Sequence, residues 1–290
     1  MKIKKLSKVF TLTIALSLIA VSLTACGGSK DGVKAAKEPV TASEAFNQEG
    51  IWFMYSNDGI VGKDEFISSI LVFDGKGNAI DYNCSNLSFS DLKELSNDEI
   101  VTLVKEQDKA SFEKEKENAI NSIQGEIDEI SSNPAAWLEL ASAHGIEFTN
   151  PDSIYKDLES GKSVTEIDNL KAEIESRKDI IDAFEYREPV VQPFSLHIET
   201  DKSGNSTESE SLSYTYQKVN WGTLSDIWEI NPESPNYEES EMKIELYPAP
   251  AIQDVYDMHF NGYSAIMTLV SEDHAGFMLD TPDTKGIEVD

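Results

Sequence analysis

The order of the local sequence patterns limits the fold more than any other feature of this chain. Strand-like sequence occupies residues 50–83, helical spacing runs from 91 to about 187, and strand-like sequence returns after Pro189. Sheet-forming segments at both ends with helices between them are typical of the α+β class. We therefore predict a mainly antiparallel sheet formed by the N- and C-terminal segments, with a helical region between them.

The strand-like segments carry hairpin signals. IWFMY and FISSILVF are compact apolar runs, and the glycines and polar residues of Asp74–Asn78 that follow them indicate a tight turn. Nearer the C-terminus, PFSLHIET and SLSYTYQKV flank the polar segment DKSGNSTESE, which predicts a longer hairpin. Three N-terminal strands alone are barely enough for a stable fold, so a single sheet is favoured over two.

The helical region has start signals and narrow apolar stripes. Ser96 and Glu99 have the spacing of a capping box, and Ser163 and Glu166 repeat it. The stripe in the first long helix includes isoleucines 120, 123, 127 and 130. Stripes this narrow suit coiled-coil packing, which leaves dimerisation open, but an intramolecular helical hairpin is the favoured outcome.

The N-terminus reads as an export signal. Residues 1–8 contain four lysines and no acid, and the apolar run that follows is short for a transmembrane helix. This run ends in Leu23-Thr24-Ala25-Cys26, which resembles the lipobox of bacterial lipoproteins. That resemblance implies that Cys26 becomes the new N-terminus and carries a diacylglyceryl (palmitate-type) anchor. The alternative is an ordinary secretory signal with an incidental cysteine.

These signals predict three parts of the chain. Residues 1–25 form a signal peptide, and residues 26–49, from the lipidated cysteine onward, form a flexible tether of small and polar residues. Residues 50–290 form an extracytoplasmic α+β domain with the helical insertion at about 91–187. We expect the protein to be held on the outer face of the cell membrane, because two acyl chains keep a protein on a bilayer.

Charge and cysteine content exclude some functions. The formal net charge is −29, and loss of the four signal lysines would take it to −33. Such a chain will not bind nucleic acid through nonspecific electrostatics. Apart from Cys26 there is one cysteine, Cys84, so an intramolecular disulfide is not expected to support the fold.

No catalytic residue, metal site or cofactor is predicted. Cys84 has no basic neighbour in sequence to activate it. His259 and His274 would make a zinc or manganese site credible if the fold brought them together. Trp221 and Trp228 bracket a turn and are the candidate binding surface, although aromatic residues beside strands usually belong to a core.

The two ends of the mature chain resemble a known set of proteins. The segments are GIWFMYSNDGIVGKDEFISSILVFDGKGNAIDY, LKELSNDEIVTLVKEQD and the tail GFMLDTPDTKGIEVD. Together with the signal they are similar to uncharacterised lipobox-containing surface lipoproteins of Gram-positive bacteria. The resemblance implies a surface lipoprotein and transfers no catalytic residues.

The leading functional hypothesis is a membrane-anchored, non-enzymatic binding or interaction module at the cell envelope. Its partners would be an envelope protein, a glycan or a cationic peptide. One alternative is a solute- or peptide-binding receptor for a transporter, and another is an immunity lipoprotein against a bacteriocin or phage. An enzyme is the least favoured class, since no catalytic motif is evident.

Overall fold

The computed structural model of the protein describes residues 32–55, 61–143, 155–156, 163–222 and 235–290. The helices are α1 (Ala42–Phe46), α2 (Asn97–Ser132), α3 (Pro134–Ala143) and α4 (Glu166–Ala183), with 3-10 turns at Val33–Ala35 and Phe89–Leu92. The strands are β1 (Val40–Thr41), β2 (Glu49–Tyr55), β3 (Phe66–Asp74), β4 (Asn78–Ser88), β5 (Tyr155–Lys156), β6 (Ser163–Val164), β7 (Gln192–Thr200), β8 (Thr207–Asn220), β9 (Asn236–Glu245), β10 (Gln253–Val255), β11 (Met258–Tyr263), β12 (Ile266–Val270), β13 (Phe277–Met278) and β14 (Glu288–Val289).

One large sheet contains strands from both ends of the chain, as predicted. Its order is β10-β11-β12-β2-β3-β4-β7-β8-β9, with each neighbouring pair antiparallel. The N-terminal strands join the C-terminal ones at two places: β2 pairs with β12, where Met54 lies opposite Ile266, and β4 pairs with β7, where Asn78 lies opposite Pro193. The β14 strand adds a parallel pair beside β7. The predicted α+β class and the single sheet are therefore confirmed.

Both predicted hairpins are present in the sheet. The β3–β4 turn is held by Asp74, whose Oδ1 accepts hydrogen bonds from the backbone N–H groups of Lys76 and Asn78. In the β7–β8 turn, Asp201 Oδ1 accepts from the backbone N–H groups of Ser203 and Asn205. Short polar side chains that bond to the backbone two residues ahead are a general reason for such turns.

The sheet has a hydrophobic core on each face. Successive side chains of a strand point to opposite faces, so Trp52 and Phe53 of β2 belong to different cores. The first core joins β2 and β3 to α1 and to the β7–β9 part of the sheet. The second core joins the opposite face to the 3-10 turn at Phe89–Leu92 and the start of α2. The first core therefore extends along one face of the sheet from β2 and β3 to β7–β9.

The α2 helix connects the sheet to the helical hairpin. It begins with the predicted capping box, in which the Ser96 hydroxyl accepts from Glu99 N–H and Glu99 accepts from Ser96 N–H. Its N-terminal half packs on the second core. Its C-terminal half packs antiparallel to α4: Lys116 Nζ donates to the Phe184 carbonyl just after α4 at 3.0 Å, and Lys178 Nζ, earlier in α4, donates to Gln124 Oε1, later in α2, at 3.0 Å. A separate helical core forms there, with buried members Ile123, Ile130, Trp137, Leu170, Ile174 and Ile181. The α2–α4 hairpin is therefore intramolecular.

The second capping box was predicted in the wrong position. Thr165 is the N-cap of α4, and Asp168 is its reciprocal partner. The Ser163 proposed for this role lies in β6 and pairs with Lys156 of β5. The strand pairing takes Ser163 away from the helix end, and the next hydroxyl residue takes over the cap.

The predicted flexible tether was too long at its C-terminal end. Residues 40–46 form β1 and α1, and Phe46 is completely buried in the first core. The Phe46 ring lies 4.7 Å from Trp52 and 4.9 Å from Phe73, centroid to centroid. β1 also pairs in parallel with β13 near the C-terminus. Val40, Ala42 and Ala45 are buried in the same core, so these side chains and Phe46 together fix the segment to the sheet.

Of the helices within the described ranges, none is both long enough and apolar enough to cross a membrane.

Candidate functional site

The candidate site is a cavity of about 460 Å³ between the sheet and the helical hairpin. The β4 strand pairs with β7 only through Asn78 and Ala79 within the described residues, and the two strands separate beyond that point. The α2 helix and residues 184–189 bridge the gap. The wall residues are Met54, Ser68, Ser69, Asp81, Asn83, Asp108, Phe112, Glu115, Tyr186, Arg187, Pro189, Tyr216, Gln217, Lys218, Val219, Tyr237 and Met242. A volume of this size is within the range for small-molecule sites.

Asp81 of β4 lies in the wall contributed by the sheet. The Tyr214 hydroxyl donates to its Oδ2 at 3.0 Å, whereas its buried Oδ1 has no hydrogen-bond partner among the described residues. The nearby Ser69 hydroxyl contacts Met54 Sδ at 3.2 Å. Burial raises the pKa of Asp81 to about 6; hydrogen bonding from the Ser69 and Tyr214 hydroxyls to the ionised carboxylate opposes this rise, and the charge of Asp108 adds to it. The carboxyl group therefore sits in surroundings that disfavour its charge.

Asp108 of α2 lies in the opposite wall. Its Oδ1 accepts the backbone N–H of Asn83 at 2.8 Å, and its Oδ2 accepts the Tyr186 hydroxyl at 2.7 Å. Burial raises the pKa of Asp108, with smaller additions from the charges of Glu115 and Glu188, while the two hydrogen bonds oppose the rise. These bonds fasten the helix to the outer edge of β4 and to the segment after α4.

Aromatic and thioether side chains form much of the remaining wall. Phe112 is buried, and Tyr186, Tyr216, Tyr237 and Met242 are half-buried. These groups provide apolar surface and ring faces next to the two carboxyl groups. The cavity therefore combines negative charge inside with aromatic walls.

The positive charges of the wall lie at its exposed rim. The Arg187 guanidinium stacks over the Tyr237 ring at 4.3 Å and donates to Gln217 Oε1 at 3.4 Å. Lys218 is exposed. Close to Asp108, Lys105 pairs with Glu188 at 2.6 Å. None of these cations makes a hydrogen bond or ion pair with Asp81 or Asp108 in the part of the chain that the structure describes.

Of the two tryptophans predicted to form a binding surface, the structure describes Trp221. Trp221 is half-buried and packs on Phe112 and Phe184, with centroid distances of 5.2 Å and 5.8 Å. Its indole N–H donates to Glu115 Oε2 at 3.4 Å, so it supports two residues of the cavity wall from behind. Trp228 lies outside the described residues. So do the lipobox residues Leu23, Thr24 and Ala25 and the lipidation residue Cys26.

The two candidate metal-binding histidines, His259 and His274, make structural contacts. His274 Nδ1 accepts the Gly276 N–H at 2.9 Å, so its Nε2–H donates to the Val33 carbonyl at 2.8 Å. Burial lowers the pKa of His274, which keeps it neutral. His259 Nδ1 contacts Asp254 Oδ1 at 2.7 Å across β10 and β11. Within the described ranges, no three His, Cys, Asp or Glu residues are grouped so that they could hold a metal ion.

Cys84 is a buried free thiol on the other side of β4. Burial raises its pKa to about 12, and the charges of Asp81 and Asp108 add to that effect. Since the thiolate is the nucleophile, a thiol in this environment is unreactive. The structure thus assigns Cys84 to the core.

Sequence reasoning missed both cavity acids, although each has a visible signal. Asp81 alternates with Ala79, so it lies on the strand face that packs on the first core. Asp108 comes four residues after Val104 and four before Phe112, which places an acid in the apolar stripe of α2. A carboxyl group at a core-facing position is uncommon without a partner or a role.

No protein-family model, curated protein or solved structure matches the chain.

Proposed function

We propose that the protein is a lipid-anchored, extracytoplasmic binding module at the envelope of a Gram-positive cell, and that the cavity is its binding site. The export signal and the lipobox ending at Cys26 support the anchoring. The observation that carries the binding role is the cavity itself, which combines two inward carboxyl groups with aromatic walls.

The residues of the cavity wall also support a binding role. Asp81 and Asp108 form no ion pair with Lys, Arg or His among the described residues, so no described side chain neutralises their charge. Their hydroxyl donors, Tyr214 and Tyr186, hold them in fixed positions. Fixed polar groups in a mainly apolar and aromatic cavity are typical of small-ligand sites.

Anchoring is tested by expressing the full chain with a C-terminal tag in a Gram-positive host. The wild-type protein should fractionate with the membrane, and its mature N-terminal peptide should carry a diacylglyceryl group on Cys26 by mass spectrometry. The Cys26→Ala variant should lose both properties. Equal membrane retention of both forms, with no lipid on the wild-type peptide, would contradict the proposal.

Binding at the envelope is tested with a photo-crosslinking amino acid in place of Lys218, at the exposed rim of the cavity. The matched control places it at the exposed Glu208 on the same strand, outside the cavity wall. A product formed from position 218, absent from position 208 and lost in the Cys26→Ala form, is expected. A transport permease as the product would instead support the receptor alternative. Equal labelling from both positions would show that the cavity is not the binding site.

A further inference from the structure

We infer that the cavity binds a small organic cation, an ammonium group carried on an aromatic or other apolar body. This inference rests on the proposed function, because it takes the cavity as the binding site and names the class of ligand. Four features of the wall support it. The two acids have no cationic partner among the described residues, and their oxygens can accept further hydrogen bonds. Aromatic rings lie beside them, and the cationic side chains of the wall lie at its exposed rim.

The interior charge is negative and lacks a described counter-ion. Asp81 and Asp108 accept hydrogen bonds from tyrosine hydroxyls and a backbone N–H, all of which are neutral donors. Burying a carboxylate without a positive partner is costly. A cationic group in the cavity would offset that cost, and an anionic group would increase it.

The acceptor capacity that remains suits an ammonium group. Each ionised carboxylate offers about four lone-pair sites; the hydroxyls of Tyr214 and Ser69 account for at most two at Asp81, and two donors bond to Asp108. The buried Oδ1 of Asp81 accepts from no described donor. An ammonium group has three donors in a compact tetrahedral arrangement and requires no planar bidentate partner.

The aromatic walls suit the remainder of such a ligand. Tyr186, Tyr216 and Phe112 offer rings beside the acids, and rings attract cations on their faces as well as apolar groups. A metal ion is a poorer fit, because the described residues include no group of three His, Cys, Asp or Glu positioned for one.

An anionic ligand is also a poorer fit. The Arg187 guanidinium is stacked on Tyr237 and bonded to Gln217, which leaves it turned to the rim. An anion inside the cavity would face both acids and would find no cation among the described wall residues except at the opening. Binding of an anionic ligand in the cavity would therefore contradict the inference directly.

The test is a charge series of three probes on the full chain purified in mild detergent. Phenethylamine, 2-phenylethanol and 3-phenylpropionate share a phenyl ring and differ in the charge of the head group. Titration calorimetry or ligand-observed NMR should show phenethylamine binding about tenfold more tightly than the alcohol, with no detectable binding of the carboxylate. Equal affinity for amine and alcohol, preference for the carboxylate, or no binding of any probe would overturn the inference.

Two variants assign the preference to the acids. Asp81→Asn and Asp108→Asn should each weaken phenethylamine binding about tenfold and leave the alcohol unchanged. Glu208→Gln, which removes the same charge from an exposed position outside the cavity wall, should bind the amine as wild type does. If an Asn variant fails to fold by circular dichroism, the charge series on the wild-type chain still decides the question.

The two proposals can fail separately. An anchored protein that crosslinks from position 218 but shows no preference for the amine keeps the proposed function and loses the ligand class. A purified chain that prefers the amine but is neither lipidated nor crosslinked at the envelope retains the ligand class and loses the cellular role.

Discussion

We expect the replacement of Glu210 by glutamine to become more favourable as the pH rises. The free energy of unfolding of the variant, minus that of the wild type, should be larger at pH 8 than at pH 5. Glu210 of β8 is only 1% exposed, and its Oε2 accepts the backbone N–H of Asp280 at 2.8 Å. The other oxygen of Glu210, Oε1, is buried and has no hydrogen-bond partner among the described residues, and the nearby Asp280 charge adds to the rise in the pKa of Glu210. Asp280 in turn accepts the Ser43 N–H and the Ser43 hydroxyl, both at 2.7 Å. One carboxyl pair therefore joins the C-terminal segment to β8 and to the first turn of α1.

The sign of the effect follows from the pKa of Glu210. Burial raises this pKa to about 8, and the charge of Asp280 adds to the rise while the bond from the Asp280 N–H opposes it. In the unfolded chain the pKa is about 4.3. The contribution of Glu210 to stability is fully present below the unfolded value and is lost as the pH rises through the folded value.

The size of the effect is set by the pH interval between the unfolded and the folded pKa of Glu210. Between the two pKa values the free energy of unfolding falls by at most about 1.4 kcal/mol per pH unit, or about 4 kcal/mol from pH 5 to pH 8. Local relaxation and water entry reduce such penalties, and we expect about 2 kcal/mol. Glutamine can accept the Asp280 N–H through its amide oxygen and cannot ionise, so this loss should disappear in Glu210→Gln.

The assay is urea unfolding of the full chain at pH 5, 6, 7 and 8, followed by tryptophan fluorescence and circular dichroism. The variant-minus-wild-type difference in the free energy of unfolding should move by about 2 kcal/mol in favour of the variant as the pH rises. Glu208→Gln, an exposed change of the same charge on the same strand, should give a flat difference. A flat difference for Glu210→Gln, or a variant that becomes relatively weaker toward pH 8, would refute the reasoning.

Three further predictions concern the core and the thiol. Phe46→Ala should lower the free energy of unfolding by about 3–5 kcal/mol in urea titrations, because the ring is completely buried; a loss under 1 kcal/mol would restore the tether prediction. Gly262→Ala should lower the thermal midpoint far more than Gly62→Ala, since a Cβ at 262 would lie 2.6 Å from a backbone oxygen and one at 62 meets nothing within 4 Å; equal shifts would contradict this. In the Cys26→Ala background, Cys84 should react with iodoacetamide at pH 8 about a thousandfold more slowly than in urea, and comparable rates by mass spectrometry would show an accessible thiolate.

Local patterns predicted the parts of the fold that depend on neighbouring residues. The Ser96–Glu99 capping box, the Asp74 turn and the two hairpins each need residues only a few positions apart. The single sheet also followed, because three N-terminal strands alone cannot bury enough surface. The α4 cap was misplaced by two residues, since the choice between Ser163 and Thr165 depends on strand pairing with Lys156.

The predicted export signal, the lipobox-like motif ending at Cys26 and the acidic charge come from the sequence alone, because they depend on contiguous residues or on composition. The cavity and the buried acid pair were decided only by tertiary structure. Asp81 meets Tyr214 across 133 positions, and Ser43 meets Asp280 across 237. The spacing of apolar residues along the sequence cannot predict contacts between residues this far apart. Whether an acid stays charged, shares a proton or faces a cavity depends on the groups that folding brings around it, because desolvation and nearby charges set its pKa.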